Sequence, residues 1–244
     1  MQAKRLEGFR ARRRAGTVGR TVALGSSTHP TGPHTTGVHL GGDGNMALGT
    51  STAAQAYELR FDTGRICLDL LATTHPVERL GSPEVLRAWI TGSGLVPPGT
   101  SLAHADPSWP AAFRELRGCL GPLVRGRPAP GSASWDRALS RVNDLARAAP
   151  PAPCAVPGDD GALVRCLDAP PGLAALLAAV ARDAVDLLTD PVARASLRQC
   201  EGDNCPIVYV DTSRGRRRRW CSSEVCGNRE RVARHRRRAA LTRT

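Results

Sequence analysis

The chain has 244 residues, of which 41% are hydrophobic, 23% charged and 4% aromatic, and a formal net charge of +12. That length allows one or two domains with a real core, which must rest on Leu, Val and Ala where aromatics are so scarce. The longest apolar stretch, around Leu173 to Ala181, is too short to cross a bilayer, so a membrane protein is excluded.

The charge is uneven. Residues 1–20 carry +6 and residues 194–244 carry +9, which leaves −3 on residues 21–193. A neutral-to-acidic body with a basic C-terminal end is the electrostatic footprint of a protein that meets a polyanion, with nucleic acid ahead of acidic lipid headgroups. Lys4 is the one lysine and every other cationic side chain is Arg, a composition expected of a GC-rich bacterial genome. The Arg-rich start is followed by Thr, Gly, Ser and His and has no apolar signal core. A cytoplasmic, reducing location is therefore expected.

Residues 1–56 are rich in Gly, Thr, Ser and His, without helical or strand periodicity, and are expected to be disordered. Met46 offers a second translation start there. His29, His34 and His39 are evenly spaced, but nothing near them would hold a metal in place. Order is expected from Leu59. The run Ile66-Cys67-Leu68 with Leu70-Leu71 suits a strand or a first helical turn.

Ser82-Pro83-Glu84 opens a helix with a capping hydroxyl, a proline at the first helical position and an acid facing the dipole. Val85, Leu86, Trp89 and Ile90 give it one apolar stripe, ended by Gly92 and Gly94. Asp106-Pro107 starts a second helix carrying Trp109, Phe113, Leu116 and Leu120. Ser134 starts a third, with Trp135, Leu139, Val142 and Leu145 inward. Residues 126–133 and 149–161 read as Pro/Gly/Ala-rich linkers, and Gly161 to Leu167 as a short strand. A long Ala- and Leu-rich helix covers Pro171 to Leu188, and Asp190-Pro191 opens another that runs into Cys200.

Eight cysteines fall into two groups. Cys67, Cys119, Cys154 and Cys166 are scattered singly, whereas Cys200-x4-Cys205 and Cys221-x4-Cys226 form two equal pairs separated by fifteen residues. Four thiolates complete a tetrahedral shell and leave no vacancy for substrate, so a structural zinc ion, Zn(2+), is expected on Cys200, Cys205, Cys221 and Cys226. Ile207-Val208-Tyr209-Val210 reads as a strand, Asp211-Thr212-Ser213-Arg214-Gly215 as a turn, and Arg216 to Trp220 as the returning strand. Ser222-Ser223-Glu224 then caps a C-terminal helix. The module is knuckle, hairpin and helix, a treble-clef-like finger expected to unfold on chelation while the helical body stands.

The tetrapeptide Cys226-Gly227-Asn228-Arg229, with Tyr209-Val210-Asp211-Thr212-Ser213-Arg214 and Arg219-Trp220-Cys221 around it, resembles the CGNR zinc-finger family over roughly residues 197–240. Phe61-Asp62-Thr63-Gly64-Arg65-Ile66-Cys67-Leu68-Asp69-Leu70-Leu71-Ala72-Thr73 is similar to the opening of the ABATE domain that commonly precedes this finger. The resemblance implies a stress-response transcription regulator. The expected architecture is mainly α: a disordered segment over 1–56, a helical ABATE-like domain over 57–192, and the finger with its basic helix over 193–244.

Arg214, Arg216, Arg217 and Arg218, with Arg229, Arg231, Arg234, Arg236, Arg237 and Arg238, are candidate contacts to duplex DNA, since guanidinium groups fork onto phosphates and guanine edges. Some of them serve equally well to offset the −2 charge of a four-thiolate zinc. Asn228 is expected to hydrogen-bond the knuckle backbone ahead of contacting a base, Gly227 to permit close backbone approach, and Trp220 to form the finger's small core. His235 reads as a solvated helix residue. The leading function is a DNA-binding regulator whose body senses a small molecule, binds a protein or forms a homodimer. A zinc-stapled protein adaptor and an RNA-binding protein are the alternatives. Asp69, His75 and Glu78 lie close in sequence, but without a nucleophile elbow, phosphate loop or open metal site no enzyme is expected.

Overall fold

The computed structural model describes residues 59–241, so the expectations for residues 1–56, including Met46 and the three histidines, lie outside the described residues. The described chain is mainly helical, with two small antiparallel sheets. A short helix α1 (Ile66–Ala72) leads into α2 (Pro83–Gly92) and the long α3 (Ser108–Arg125). Next come α4 (Ala133–Ala146), a hairpin of β1 (Pro153–Pro157) and β2 (Leu163–Leu167), and α5 (Leu173–Thr189). A single-turn α6 (Pro191–Ala195), strands β3 (Leu197–Gln199) and β4 (Val208–Val210), and α7 (Cys226–Leu241) complete it.

The helix starts follow their caps. Ser82 Oγ accepts from Val85 N at 3.4 Å, and Asp106 Oδ1 accepts from Ser108 N at 2.7 Å. In α4 the cap is Ser132, two residues before the expected Ser134, and it accepts from Trp135 N at 3.4 Å. The apolar stripes point inward as their period requires: Leu86, Trp89 and Ile90 of α2, and Trp109, Phe113, Leu116 and Leu120 of α3, are all buried. Trp89 and Phe113 meet edge to face, with ring centroids 5.7 Å apart. Helix α5 buries Leu176, Ala178, Val180, Ala181, Ala184 and Leu187, and its small residues let α1, α3 and α4 close around it.

Several expectations need correction. Residues 153–157 are a strand, not a linker, pairing antiparallel with β2 so that Cys154 faces Cys166. The two cysteines are joined as a disulfide across the pair, with Cα atoms 5.1 Å apart, and are not isolated thiols. Prolines at both ends of β1 masked its period-2 pattern.

The helix opened by Asp190-Pro191 does not reach Cys200. It ends at Ala195, and β3 pairs with β4 in the register Leu197 to Val210 and Gln199 to Val208. The hairpin is thus closed by the cysteine knuckle itself, and Arg216 to Trp220 form no returning strand. Side chains have taken the donors a ladder would need there: Asp211 carboxylate oxygens accept from Ser213 N at 2.9 Å and Arg218 N at 3.1 Å, and Ser213 Oγ accepts from Arg217 N at 3.1 Å.

The finger and the helical body also share buried surface. Val208 and Val210 lie in the same apolar cluster as the helices, and Val210 N donates to Thr63 O at 2.8 Å. The expectation that the body is indifferent to the metal therefore loses its basis.

Candidate metal centre and nucleic-acid interface

The two cysteine pairs arrive from different local structures. Cys200 follows β3 and Cys205 precedes β4, with Cys200 N donating to Ile207 O at 2.9 Å to close the knuckle. Gly202 lies over the site: a Cβ there would stand 3.2 Å from Cys226 Cβ and 3.5 Å from Cys200 Sγ, so a side chain would push against the cluster. Asn204 takes the left-handed turn conformation, φ 55°, which Asn tolerates better than most residues. Cys221 and Cys226 bracket a turn in which Ser222 Oγ accepts from Glu224 N and Val225 N, both at 3.2 Å, and α7 begins at Cys226 itself. Ser222 thus caps the turn ahead of α7 and not, as expected, the helix itself, which starts at Cys226.

All four sulfurs are buried and lie within 4.8 Å of one another. Cys205 Sγ and Cys221 Sγ are 3.7 Å apart, and Cys221 Sγ and Cys226 Sγ 3.5 Å. Tetrahedral zinc with bonds of about 2.3 Å places its sulfurs roughly 3.8 Å apart, a spacing close to the 3.5 and 3.7 Å of these pairs, so the four thiols suit such an ion. Backbone donors reinforce the thiolate character: Cys221 N and Gly202 N both point at Cys200 Sγ, at 3.3 and 3.4 Å.

The charge state shows why a cation belongs there. A hydrogen bond from Cys205, aided by the Arg60 guanidinium, pulls the Cys221 thiol down to about 5 despite its burial. Cys205 is pushed up by the same bond and by burial, and burial with the Cys221 charge pushes Cys226 up to about 11. By themselves the sulfurs hold one negative charge easily and resist the next; a divalent ion removes that resistance.

Arg60, just before the first expected strand, is a site residue the sequence reading missed. Its Nη2 donates to Cys221 Sγ at 3.4 Å and to Asp62 Oδ2 at 2.9 Å. Arg218 is likewise inward: Nε donates to Trp220 O at 2.9 Å, Nη2 to Asp62 O at 2.9 Å and also to Cys221 O, and the guanidinium covers the Tyr209 ring at 4.4 Å. Tyr209 is wholly buried and donates to Arg218 O at 2.5 Å, and burial pushes its hydroxyl up to about 12. Arg218 is thus the clasp between finger and body.

The remaining candidate arginines face outward. Arg214, Arg216, Arg217, Arg229, Arg231, Arg234, Arg236, Arg237 and Arg238 are exposed. Arg231 donates to Gly227 O at 3.3 Å and Ser223 O at 3.1 Å, fastening the first turns of α7, and Arg237 pairs with Glu230 at 2.8 Å. Only Cys226 and Gly227 of α7 are buried, so the rest of this 16-residue helix projects about 1.5 Å per residue from the metal centre. Asn228 does not bond the knuckle as expected; it is exposed, and its side chain has no hydrogen bond among the described residues. A Cβ on Gly227 would meet Ser222 O at 3.5 Å, an ordinary contact, so Gly202 and not Gly227 marks the tight approach. Trp220 packs on the small cluster of the cysteines, Ile207 and Tyr209, as expected.

Asp69 accepts from Thr63 N and Oγ1 at 3.2 and 2.8 Å, and Glu78 pairs with Arg117. Each is occupied in holding the fold. No helix among the described residues is long and apolar enough to cross a membrane.

No match was found among curated proteins. Two family models do match, in the order expected. The CGNR zinc finger covers residues 196–239. The ABATE model, described as "Putative stress-induced transcription regulator", covers residues 64–191. With more than half of its length in that second match and four clustered cysteines behind it, the chain belongs to the ABATE family and ends in a CGNR zinc finger.

Proposed function

We propose that the protein is a zinc-dependent DNA-binding transcription regulator, in which residues 193–244 read duplex DNA and residues 57–192 form the regulatory domain. The ion is Zn(2+) and its role is structural, because four thiolates leave no position for substrate. The observation that carries this reading is α7. It projects from the metal centre, buries only its first two residues, and carries six arginines against one glutamate. A helix that is polar on every side has no core of its own to stabilise it, and its crowded like charges call for a polyanionic surface.

Arg231, Arg234 and Arg238 follow one face at helical spacing, with Arg229 and Arg236 on another. Asn228 at the start of the helix is free to present its amide to an adenine edge. Arg214, Arg216 and Arg217 lie on the exposed turn that precedes it and suit phosphate contacts. Arg218 is excluded from this set by its inward bonds. In this reading the protein is cytoplasmic, where the reducing compartment would hold the Cys154–Cys166 pair open as thiols; it catalyses no reaction, and takes a small molecule, a protein or a second copy at its helical domain.

Selection of the full-length, zinc-loaded protein against a random duplex pool tests the proposal. The expected result is an enriched motif together with an affinity that falls steeply with salt, by close to one unit of slope per phosphate contacted. A flat salt response with no enrichment overturns it and leaves the protein adaptor as the alternative.

A further inference from the structure

A cavity of about 420 Å³ opens on the helical domain, against the C-terminal half of α3. Its wall includes Arg114, Arg117, Arg125 and Arg127, and no carboxylate lines it. Leu71 and Pro122 supply an apolar patch, Gly118 leaves open space beside them, and the Arg125 guanidinium lies over Gly121. On α3 the residues Arg114, Arg117, Gly121 and Arg125 recur at helical spacing, on the face adjoining the one that buries Phe113, Leu116 and Leu120.

Arg117 is the fixed member. Its side chain is 9% exposed; Nη1 donates to Thr73 Oγ1 at 2.7 Å and Glu78 Oε1 at 2.9 Å, and Nη2 bonds Glu78 Oε2. The bidentate pair holds the Glu78 carboxyl below its ordinary range. Glu78 therefore answers Arg117 and, more weakly, Arg114, and one carboxylate leaves the four guanidinium groups with positive charge in excess. Arg114 makes a long bond to Leu80 O at 3.4 Å and Arg125 one to Pro206 O at 3.5 Å, while the Arg127 side chain has no partner among the described residues. Most of their donors point to the cavity or to solvent.

Guanidinium groups in excess around one concavity repel one another, and no carboxylate of the lining relieves this. A duplex is too wide to enter, whereas a compact small molecule is of the size such a volume accepts. We infer that this cavity binds a small oligoanion bearing two or three phosphoryl or carboxylate groups. Arg117, its fork taken by Glu78, fixes the wall of the cavity, and Arg114, Arg125 and Arg127 close on the anionic groups. The inference does not depend on DNA binding by α7. Arg125 also touches the carbonyl of Pro206, between Cys205 and Ile207, so an occupant that recruits Arg125 competes with a contact to the finger.

The test is calorimetric and thermal-shift titration of the full-length zinc-loaded protein with inorganic pyrophosphate, and separately with citrate, at matched ionic strength and with zinc content checked afterwards. Saturable one-site binding is expected. It should weaken at least about tenfold in Arg114→Gln/Arg127→Gln, through loss of charge-assisted bonds, and survive in Arg234→Gln/Arg238→Gln. Preference for pyrophosphate or citrate assigns phosphoryl or carboxylate chemistry. Binding that is absent, non-saturable, or abolished by the α7 pair alone overturns the inference. So does a fall in the DNA salt slope in the cavity variant, which would make the cavity arginines part of the duplex-facing surface.

Discussion

Arg60 Nη2 donates to Cys221 Sγ at 3.4 Å, across 161 positions of sequence. A residue ahead of the first helix thus completes the surroundings of a cysteine near the end of the chain. The contact is repeated in backbone form one strand away, where Val210 N donates to Thr63 O, and Arg218 closes it by reaching back to Asp62 O.

Arg60→Met should therefore weaken metal retention. Partners just outside the ligand shell commonly contribute 10–100-fold to metal affinity, and about tenfold is expected here. Competition of the purified protein with a chromophoric chelator measures it. An unchanged affinity would mean that the guanidinium only fills space beside the sulfur.

Stripping the metal should lower the melting temperature of the helical domain as well as the finger, because Val208 and Val210 are packed into the shared core. Thermal melts followed by circular dichroism, with and without chelator, should show one transition moving down as a unit. Two separate transitions, with the larger unmoved, would show that the shared valines contribute little.

Substitutions within the basic segment should separate by role. Arg234→Gln/Arg238→Gln should reduce the salt slope of DNA binding by roughly 1.8 and leave zinc content unchanged, since each removes one phosphate contact. Arg218→Gln should instead lower stability and metal content, as its guanidinium holds Asp62 O, Trp220 O and the Tyr209 ring. Equal effects from both variants would erase the distinction between outward and inward arginines.

Asp69 makes stability depend on pH. Burial pushes its carboxyl up to about 7 in spite of the two hydrogen bonds from Thr63. Below about pH 4 the carboxyl is protonated in both folded and unfolded chains. From there to pH 7 the unfolded chain ionises while the folded one keeps its proton, so stability falls as pH rises, and the loss levels off above 7. Asp69→Asn keeps an acceptor for Thr63 and cannot ionise. It should gain stability relative to the parent between pH 5 and pH 8, read as the difference in melting temperature. A difference that stays constant across that range would count against a titrating Asp69.

The disulfide between Cys154 and Cys166 closes a short loop, with a sequence separation of 12. Cross-linking a loop of that size contributes about 2–3 kcal/mol through the unfolded chain. Cys154→Ser/Cys166→Ser should therefore melt lower under oxidising conditions and match the parent in excess thiol. Mass spectrometry after alkylation should show two fewer labelled cysteines in the oxidised parent than in the reduced one.

Local signals were legible wherever they were self-contained. Ser82-Pro83-Glu84 specified a helix start through one hydroxyl and one ring, and the α3 stripe specified its buried face through spacing alone. The two Cys-x4-Cys pairs specified the ligand set, because four thiols at that spacing have few other uses. By contrast, β1 carries prolines at both ends, and the partner of β4 lies on the far side of a knuckle. Strand pairing is a relation between segments, and neither segment states it.

The sequence by itself determined which residues form helices, which four sulfurs gather, and where positive charge accumulates, since each follows from periodicity, spacing or count along the chain. Only the tertiary structure decided that Arg60 and Arg218 serve the metal centre from the inside, that Cys154 meets Cys166, and that Arg114, Arg117, Arg125 and Arg127 surround one cavity. The physical reason is range: hydrogen bonds and ion pairs act over a few ångströms, and which distant residues come that close is set by how the helices pack.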